Sequence, residues 1–276
     1  MYFAIGAIFK NEAHIMKEWL NHYFFHGVDH IYLINDNSSD NFMDILTPFL
    51  NKKLVTLYDS VDWHKWKKIT GDPAVFVGRQ WCKYNFFFSE HFKKYKWFGI
   101  FDLDEFLYSP KYINITEILK LLENHTQQIN INWVNFGSSG FIKQPKKVVD
   151  NFIYRPKQLH SQIKSIIRTD YGNVKDVKLR IHAHTIGWTD QTRRCAHIPR
   201  GYNASRCQEG ALLLVNHYQI QSKDFWTKIK MTRGDADYYF NSLKKKRDLA
   251  LFNELDINDL EDTVLKEQNK NIVGID

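Results

Sequence analysis

The segment "KWFGIFDLDEFL", Lys96 to Leu107, carries an apolar run straight into Asp102, Asp104 and Glu105. Trp97, Phe98, Ile100 and Phe101 read as the end of a buried strand. Carboxylates converging there repel one another unless a cation stands between them. Hard oxygen ligands select magnesium or manganese, which keep positions open for phosphate oxygens. Asp102 and Asp104 are therefore read as a metal–diphosphate site, with a solvated turn as the plainer alternative. Glu105 and Phe106 are read as supporting the loop.

In an open α/β sheet a ligand lies beyond the carboxyl ends of the strands, so the elements that lead to such ends matter most. Tyr2 to Phe9 reads as a first strand, followed by an amphipathic helix over Glu12 to His26 that Gly27 ends. Ile31 to Ile34 and Leu54 to Tyr58 read as the next strands, with a short helix through Leu46 between them, capped by Asp40. Residues 59–78 have no clear period and read as a loop, and Gln80 to Tyr95 resumes helical spacing before the strand that ends at Asp102. Asn114 with Glu117 forms a capping box for a further helix, and Ile129, Ile131 and Trp133 alternate as a strand. Later strands are expected at Ser165–Arg168, Lys178–Ala183 and Ala211–His217, and a helix near Ser222. The order predicts an α/β fold, a mainly parallel sheet with helices on both faces, followed by an α+β half.

With 276 residues, 43% of them hydrophobic and 25% charged, the chain has the composition of a soluble globular protein. A net charge of +7 admits polyanionic partners without requiring them. No apolar run approaches the ~20 residues of a membrane span, and the N-terminus lacks the basic region and cleavage site of a signal peptide. The three cysteines are odd in number and widely spaced, which fits a reducing compartment. Sequons occur at Asn37, Asn114, Asn124 and Asn203. A cytoplasmic location is expected. His182, His184, Cys195, His197 and Cys207 lack the standard spacings of a zinc site.

The ordered stretches "FKNEAHIMKEWLNHYFFHGVDHIYLINDNSSDN", "WFGIFDLDEFL", "INWVNFGSSG", "KSIIR" and "NHY…KIKMTRG" resemble GT-A fold glycosyltransferases. The resemblance is closest to family 92 and its bacterial and viral relatives of the family 2 type. It implies a nucleotide-sugar donor, most simply a UDP-sugar, and transfer to a hydroxyl of a glycan or glycoconjugate, with inversion. Asp102 and Asp104 would hold Mn2+ or Mg2+, with His217 of "NHY" as a further ligand. Lys10, Asn11, Glu12 and Asp36 would lie near the base and ribose. Helix capping by Asn11 and a turn over Asp36–Asp40 are the structural alternatives. Arg79, Lys228 and Arg233 are candidates for the diphosphate, although the family's Lys-Ser before the last helix reads Gln221-Ser222 here.

Trp133, Phe136 and the Gly137–Gly140 turn would form the acceptor side, an indole face stacking on a sugar ring; an ordinary core strand and hairpin is the alternative. Lys164 and His184 have counterparts in the family motifs, and His184 is grouped with the acceptor. Chain order makes Asp190 the candidate general base, with Asp176 and Glu209 competing. One domain is expected over residues 1–245, its nucleotide half near 1–108 and its acceptor half near 109–245, followed by a polar C-terminal helix or tail over 246–276. Exchange of Asp102 or Asp104 for Asn is expected to remove activity and leave the fold intact. The competing functions are a non-catalytic sugar-binding module and, on charge and aromatic content, a nucleic-acid-binding protein.

Overall fold

The structure is a computed structural model, and it describes residues 1–59, 91, 94–111, 114–123, 126, 128–170, 210–233 and 247–275, with the backbone alone at 177–180, 183–186 and 201–203 and at 233. The chain opens with β1 (Phe3–Phe9), α1 (Ala13–Phe25), β2 (His30–Asn35), α2 (Phe42–Asn51) and β3 (Val55–Tyr58). β1 is buried along its whole length, as its unbroken apolar run "FAIGAIF" requires of a strand covered on both faces. α1 buries the stripe Ile15, Met16, Trp19, Leu20 and Tyr23, the spacing read from the sequence.

β4 (Trp97–Ile100) runs into a turn in which the Glu105 N–H donates to Asp102 O at 3.0 Å, and the chain returns as β5 (Glu105–Tyr108). α3 (Ile115–Leu122) follows, with the Asn114 side chain accepting from Thr116 N–H as its N-cap. Then come β6 (Gln128–Asn135), β7 (Tyr154–Arg155), β8 (Ile163–Arg168), β9 (Val177–Arg180), β10 (Ala183–Ile186), β11 (Gly201–Asn203) and β12 (Leu214–His217).

The main sheet has the order β3-β2-β1-β4-β8-β6-β12-β5, with β11 pairing on β6. The β3-β2-β1-β4 half is parallel throughout. β8 is antiparallel to both β4 and β6, β12 is parallel to β6, and β5 closes the edge antiparallel to β12. The β12 registers place His217 opposite Glu105 on β5 and opposite Asn135 on β6.

A composite helix, α4, continues from Lys223–Phe225 through a π turn at Trp226–Lys230 to Met231–Arg233. The C-terminal segment holds α5 (Leu249–Leu255), β13 (Leu260–Glu261), which pairs with β7, and α6 (Val264–Asn269). It is fastened by a buried ion pair, Arg155 to Asp262 at 2.6 Å, and by Gln268 donating to Ser109 O. Two local expectations change. Asp40 does not cap α2; its carboxylate accepts from Ala13 N–H at 2.8 Å and so caps α1 from a neighbouring loop. The strand expected at Lys178–Ala183 is instead the antiparallel pair β9 and β10.

Candidate functional site

The carboxylates Asp102, Asp104 and Glu105 sit where β4 ends, and α1 fixes the turn that carries them. Trp19 Nε1 donates to the carbonyls of Asp102 and Glu105, and Tyr23 Oη donates to Glu105 O. The Glu105 side chain accepts from Asp102 N–H at 2.9 Å, so it supports the loop as expected. Burial pushes the Glu105 carboxyl up to about 8; the Lys164 ammonium works against this, and the Asp102 and Asp104 charges work with it.

Each Asp is held by a lysine. Lys164 Nζ lies 3.1 Å from Asp102 Oδ2 and 3.0 Å from Glu105 Oε2, and Lys230 Nζ lies 2.6 Å from Asp104 Oδ2. Lys164, Lys230 and Asp104 are buried, with side-chain exposures of 0%, 4% and 6%, whereas Asp102 keeps 32% of its side chain open. The two Asp residues thus share a turn but have unequal access to a ligand.

His217 completes the group. Its Nδ1 lies 3.0 Å from Asn135 Oδ1, the pairing that the β6–β12 register dictates. An amide oxygen only accepts, so Nδ1 carries the proton and Nε2 presents a lone pair. Burial lowers the His217 pKa to about 4 against the opposing effect of the Asp104 charge, so the ring is neutral. Nε2 faces Asp104 Oδ1 at 3.7 Å, one acceptor opposite another. Such a pair suits a cation between its members, and an imidazole with an oriented second nitrogen is an ordinary metal ligand. Among the described residues, no group of three His, Cys, Asp or Glu side chains is arranged to hold an ion. The chain offers Asp104 and His217, and a magnesium or manganese ion of this kind draws its other oxygens from water and phosphate.

Trp133 lies in this group, its ring 4.3 Å from that of His217, with Lys164 Nζ 6.0 Å from its centroid. Phe136 turns the other way and packs on Tyr218 at 4.9 Å. Gly137 lies against the C-terminal segment: a side chain there would stand 2.6 Å from Ile257 O, so the close approach that glycine allows is to that backbone. Ser138 donates from both N–H and Oγ to Asp256, and Ser139 N–H donates to Asn258 Oδ1, which fastens the same turn.

Beyond β1 and β2, Asn11 adopts φ 53°, a left-handed conformation that Asn tolerates. Its N–H donates to Ser38 Oγ, and its Oδ1 accepts from Ser39 N–H. The loops after β1 and β2 are therefore locked together. Asp36 and Glu12 are buried there, and Lys10 is half-buried. Lys228 is exposed and pairs with Asp224 at 2.8 Å. It borders an open groove of about 750 Å³ that Asn11, His14, Lys17, Asn41 and Phe225 also line. Arg233 ends α4, and His184 lies on β10 opposite Leu179, without described side chains. Arg79, Asp190, Asp176 and Glu209 lie outside the described residues.

Sequence reasoning passed over Lys230 and Asn135. The signal for Lys230 was present: it stands four residues after Trp226, a side chain that must be buried, and so shares its helix face. Both side chains are buried. Asn135 was detectable only through the β6–β12 register.

A family model described as "Glycosyltransferase family 92" matches residues 1–267. The chain belongs to glycosyltransferase family 92. Curated members of the family include a protein of Ricinus communis, 22% identical over 242 residues, and one of Oryza sativa subsp. japonica, 22% identical over 219 residues. These matches cover 85% and 79% of this chain but 38% and 33% of the relatives, so the chain spans about a third of their length.

Among solved structures, S. aureus TarS residues 1–349 align with 16% identity over 61% of this chain and 47% of that one, at a TM-score of 0.37. HddC from Yersinia pseudotuberculosis aligns with 8% identity over 82% of this chain and 97% of that one, at 0.41. Mycobacterium tuberculosis glucosyl-3-phosphoglycerate synthase, crystallised with Mn2+ and UDP, aligns with 10% identity over 61% of this chain and 57% of that one, at 0.34. The family 92 chain has a mixed α/β fold: a parallel half that ends at the Asp102–Glu105 turn and a mixed half that brings β12 beside it.

Proposed function

We propose that this family 92 chain moves a sugar from a nucleotide-diphosphate donor, most simply a UDP-sugar, to a hydroxyl of a glycan or glycoconjugate, with inversion and with Mn2+ or Mg2+ as cofactor. The observation that carries the reading is His217 Nε2 facing Asp104 Oδ1 across 3.7 Å beyond the end of β4. Asp104, His217 and Asp102, the more open carboxylate, would hold the ion. A divalent ion there supplies Lewis-acid stabilisation of the charge on the departing diphosphate.

The chain's own groups have separate roles. Asn135 keeps Nε2 of His217 unprotonated, and Trp19, Tyr23 and Glu105 hold the turn rigid. Lys10, Asn11, Glu12 and Asp36 meet the nucleoside, and Arg79, Lys228 and Arg233 meet the phosphates. Trp133, buried beside His217, and His184 are assigned to the acceptor side, whereas Phe136, packed on Tyr218, and Gly137, against the C-terminal backbone, are assigned to its support. Asp190 takes the proton of the acceptor hydroxyl. No helix of the described residues is long and apolar enough to cross a membrane.

The test is a screen of nucleotide sugars for hydrolysis or transfer, with and without Mn2+, on the wild type and Asp102→Asn. Turnover that needs the ion and falls in the variant supports the reading. Turnover that ignores both the ion and the substitution refutes the metal role, and donor binding without any turnover favours a sugar-binding module.

A further inference from the structure

Two buried ammonium groups stand against the three carboxylates of the Asp102–Glu105 turn, which leaves little net charge to attract a divalent ion. Their settings differ. Lys164 is shared between Asp102 and Glu105 and projects from the middle of the sheet. Lys230 reaches Asp104 from the last residue of the π turn in α4. Its partner is the same carboxylate whose other oxygen faces His217 Nε2. Cations on both oxygens of one carboxylate repel, and in a buried setting that repulsion is weakly screened.

We propose that Lys230 is the resident counter-ion of Asp104 in the donor-free protein, that it competes with a divalent ion for this carboxylate, and that it moves onto the diphosphate when ion and nucleotide arrive together. The inference rests on the ion site proposed at Asp104 and His217. A nucleoside diphosphate brings the negative charge that the turn lacks, and the flexible four-carbon stem of Lys230 lets its ammonium follow that charge over a few ångströms. The free chain then holds a divalent ion poorly, and nucleotide and ion bind with strong mutual dependence. Lys228, two residues earlier and paired with Asp224 on the surface, takes no part in this exchange.

The experiment is a Mn2+ titration of the full chain followed by electron paramagnetic resonance, with and without UDP. It compares the wild type, Lys230→Met, Lys230→Arg, and Lys230→Met combined with Asp104→Asn. Without UDP, Lys230→Met should bind Mn2+ about tenfold or more tightly than the wild type, since a unit charge beside the ion has gone. Lys230→Arg should stay weak, and the added Asp104→Asn should abolish the gain. UDP should tighten Mn2+ binding far more in the wild type than in Lys230→Met. If Lys230→Met binds no tighter than a wild type whose Mn2+ binding still needs Asp104, the inference falls and the ion site stands. If no form binds Mn2+ even with UDP, the ion site falls as well.

Should Lys230→Met not fold, the wild type labelled with 15N-lysine provides the test. The protected ammonium signal that Lys230→Arg removes should shift when Mg2+ and UDP are added together. A signal unmoved by bound UDP and Mg2+ overturns the proposal.

Discussion

Asp104→Asn separates the electrostatics of this site from its chemistry. The substitution keeps size and removes charge, and on sequence grounds it is expected to leave the fold intact. The structure revises that expectation, because Asp104 is the buried counter-ion of a buried Lys230 at 2.6 Å. Removing one member of a buried pair typically costs about 3–5 kcal/mol, since the other charge stays buried without its partner. An Asn oxygen still accepts one hydrogen bond from Lys230, which puts the expected loss at the lower end, about 3 kcal/mol.

For a chain of this size that corresponds to a fall in melting temperature of roughly 6–12 °C. Asp102→Asn is the milder case: Asp102 is one-third exposed and Lys164 keeps Glu105, so its loss should be smaller than that of Asp104→Asn. Urea denaturation of both variants measures the contrast. Adding Lys230→Met to Asp104→Asn should recover part of the loss, a coupling of about 2 kcal/mol or more. If Asp104→Asn unfolds within about 1 kcal/mol of the wild type, the buried pair is not what holds this turn, and the reasoning fails.

Three further outcomes concern other parts of the chain. Burial lowers the pKa of His22 to about 4 and that of His26 to about 2, both below the unfolded value near 6.5. Their contribution to stability is therefore full above pH 6.5 and is lost as the pH falls toward 4 and below; a denaturation series at stepped pH should show this loss, and a flat profile would contradict it. Gly137→Ala should destabilise the fold by about 1–3 kcal/mol and expose the C-terminal segment to limited proteolysis, because its methyl group would press on Ile257 O; unchanged protease resistance would count against that contact. Asp190→Asn should leave donor affinity near wild type while transfer falls roughly 10²–10⁴-fold, and weakened donor binding would move Asp190 to the nucleotide side.

What the sequence disclosed depended on how local the governing physics is. β1, α1 and β2 follow from an apolar run, a helical stripe and a shorter apolar run, and the structure puts each end within one residue of its expected place. The support role of Glu105 was also legible, because a third carboxylate in so tight a turn has to bond within it. The misreadings concern partners distant in the chain. Asp40 looked like the cap of the helix it precedes, but the lock between the loops after β1 and β2 turns it toward Ala13 instead. β9 and β10 looked like one strand, since the residues between them include none of the Gly, Pro, Asn or Asp that announce a turn.

The GSSG turn and the C-terminal segment illustrate the same limit. The turn invites a sugar-side reading on composition, and only the structure brings Asp256 and Asn258 to it across more than a hundred residues. His217 was visible as a motif, but its tautomer depends on Asn135 and a strand register that no local pattern encodes.

The most direct measurement of the central claim is anomalous diffraction from crystals of the chain grown with Mn2+ and UDP. The account predicts a manganese peak within ligand distance of Asp104 Oδ1 and His217 Nε2, roughly 2.0–2.3 Å from each, with phosphate oxygens completing the shell. Bound UDP with no manganese peak at that point, and Lys230 still on Asp104, would contradict it.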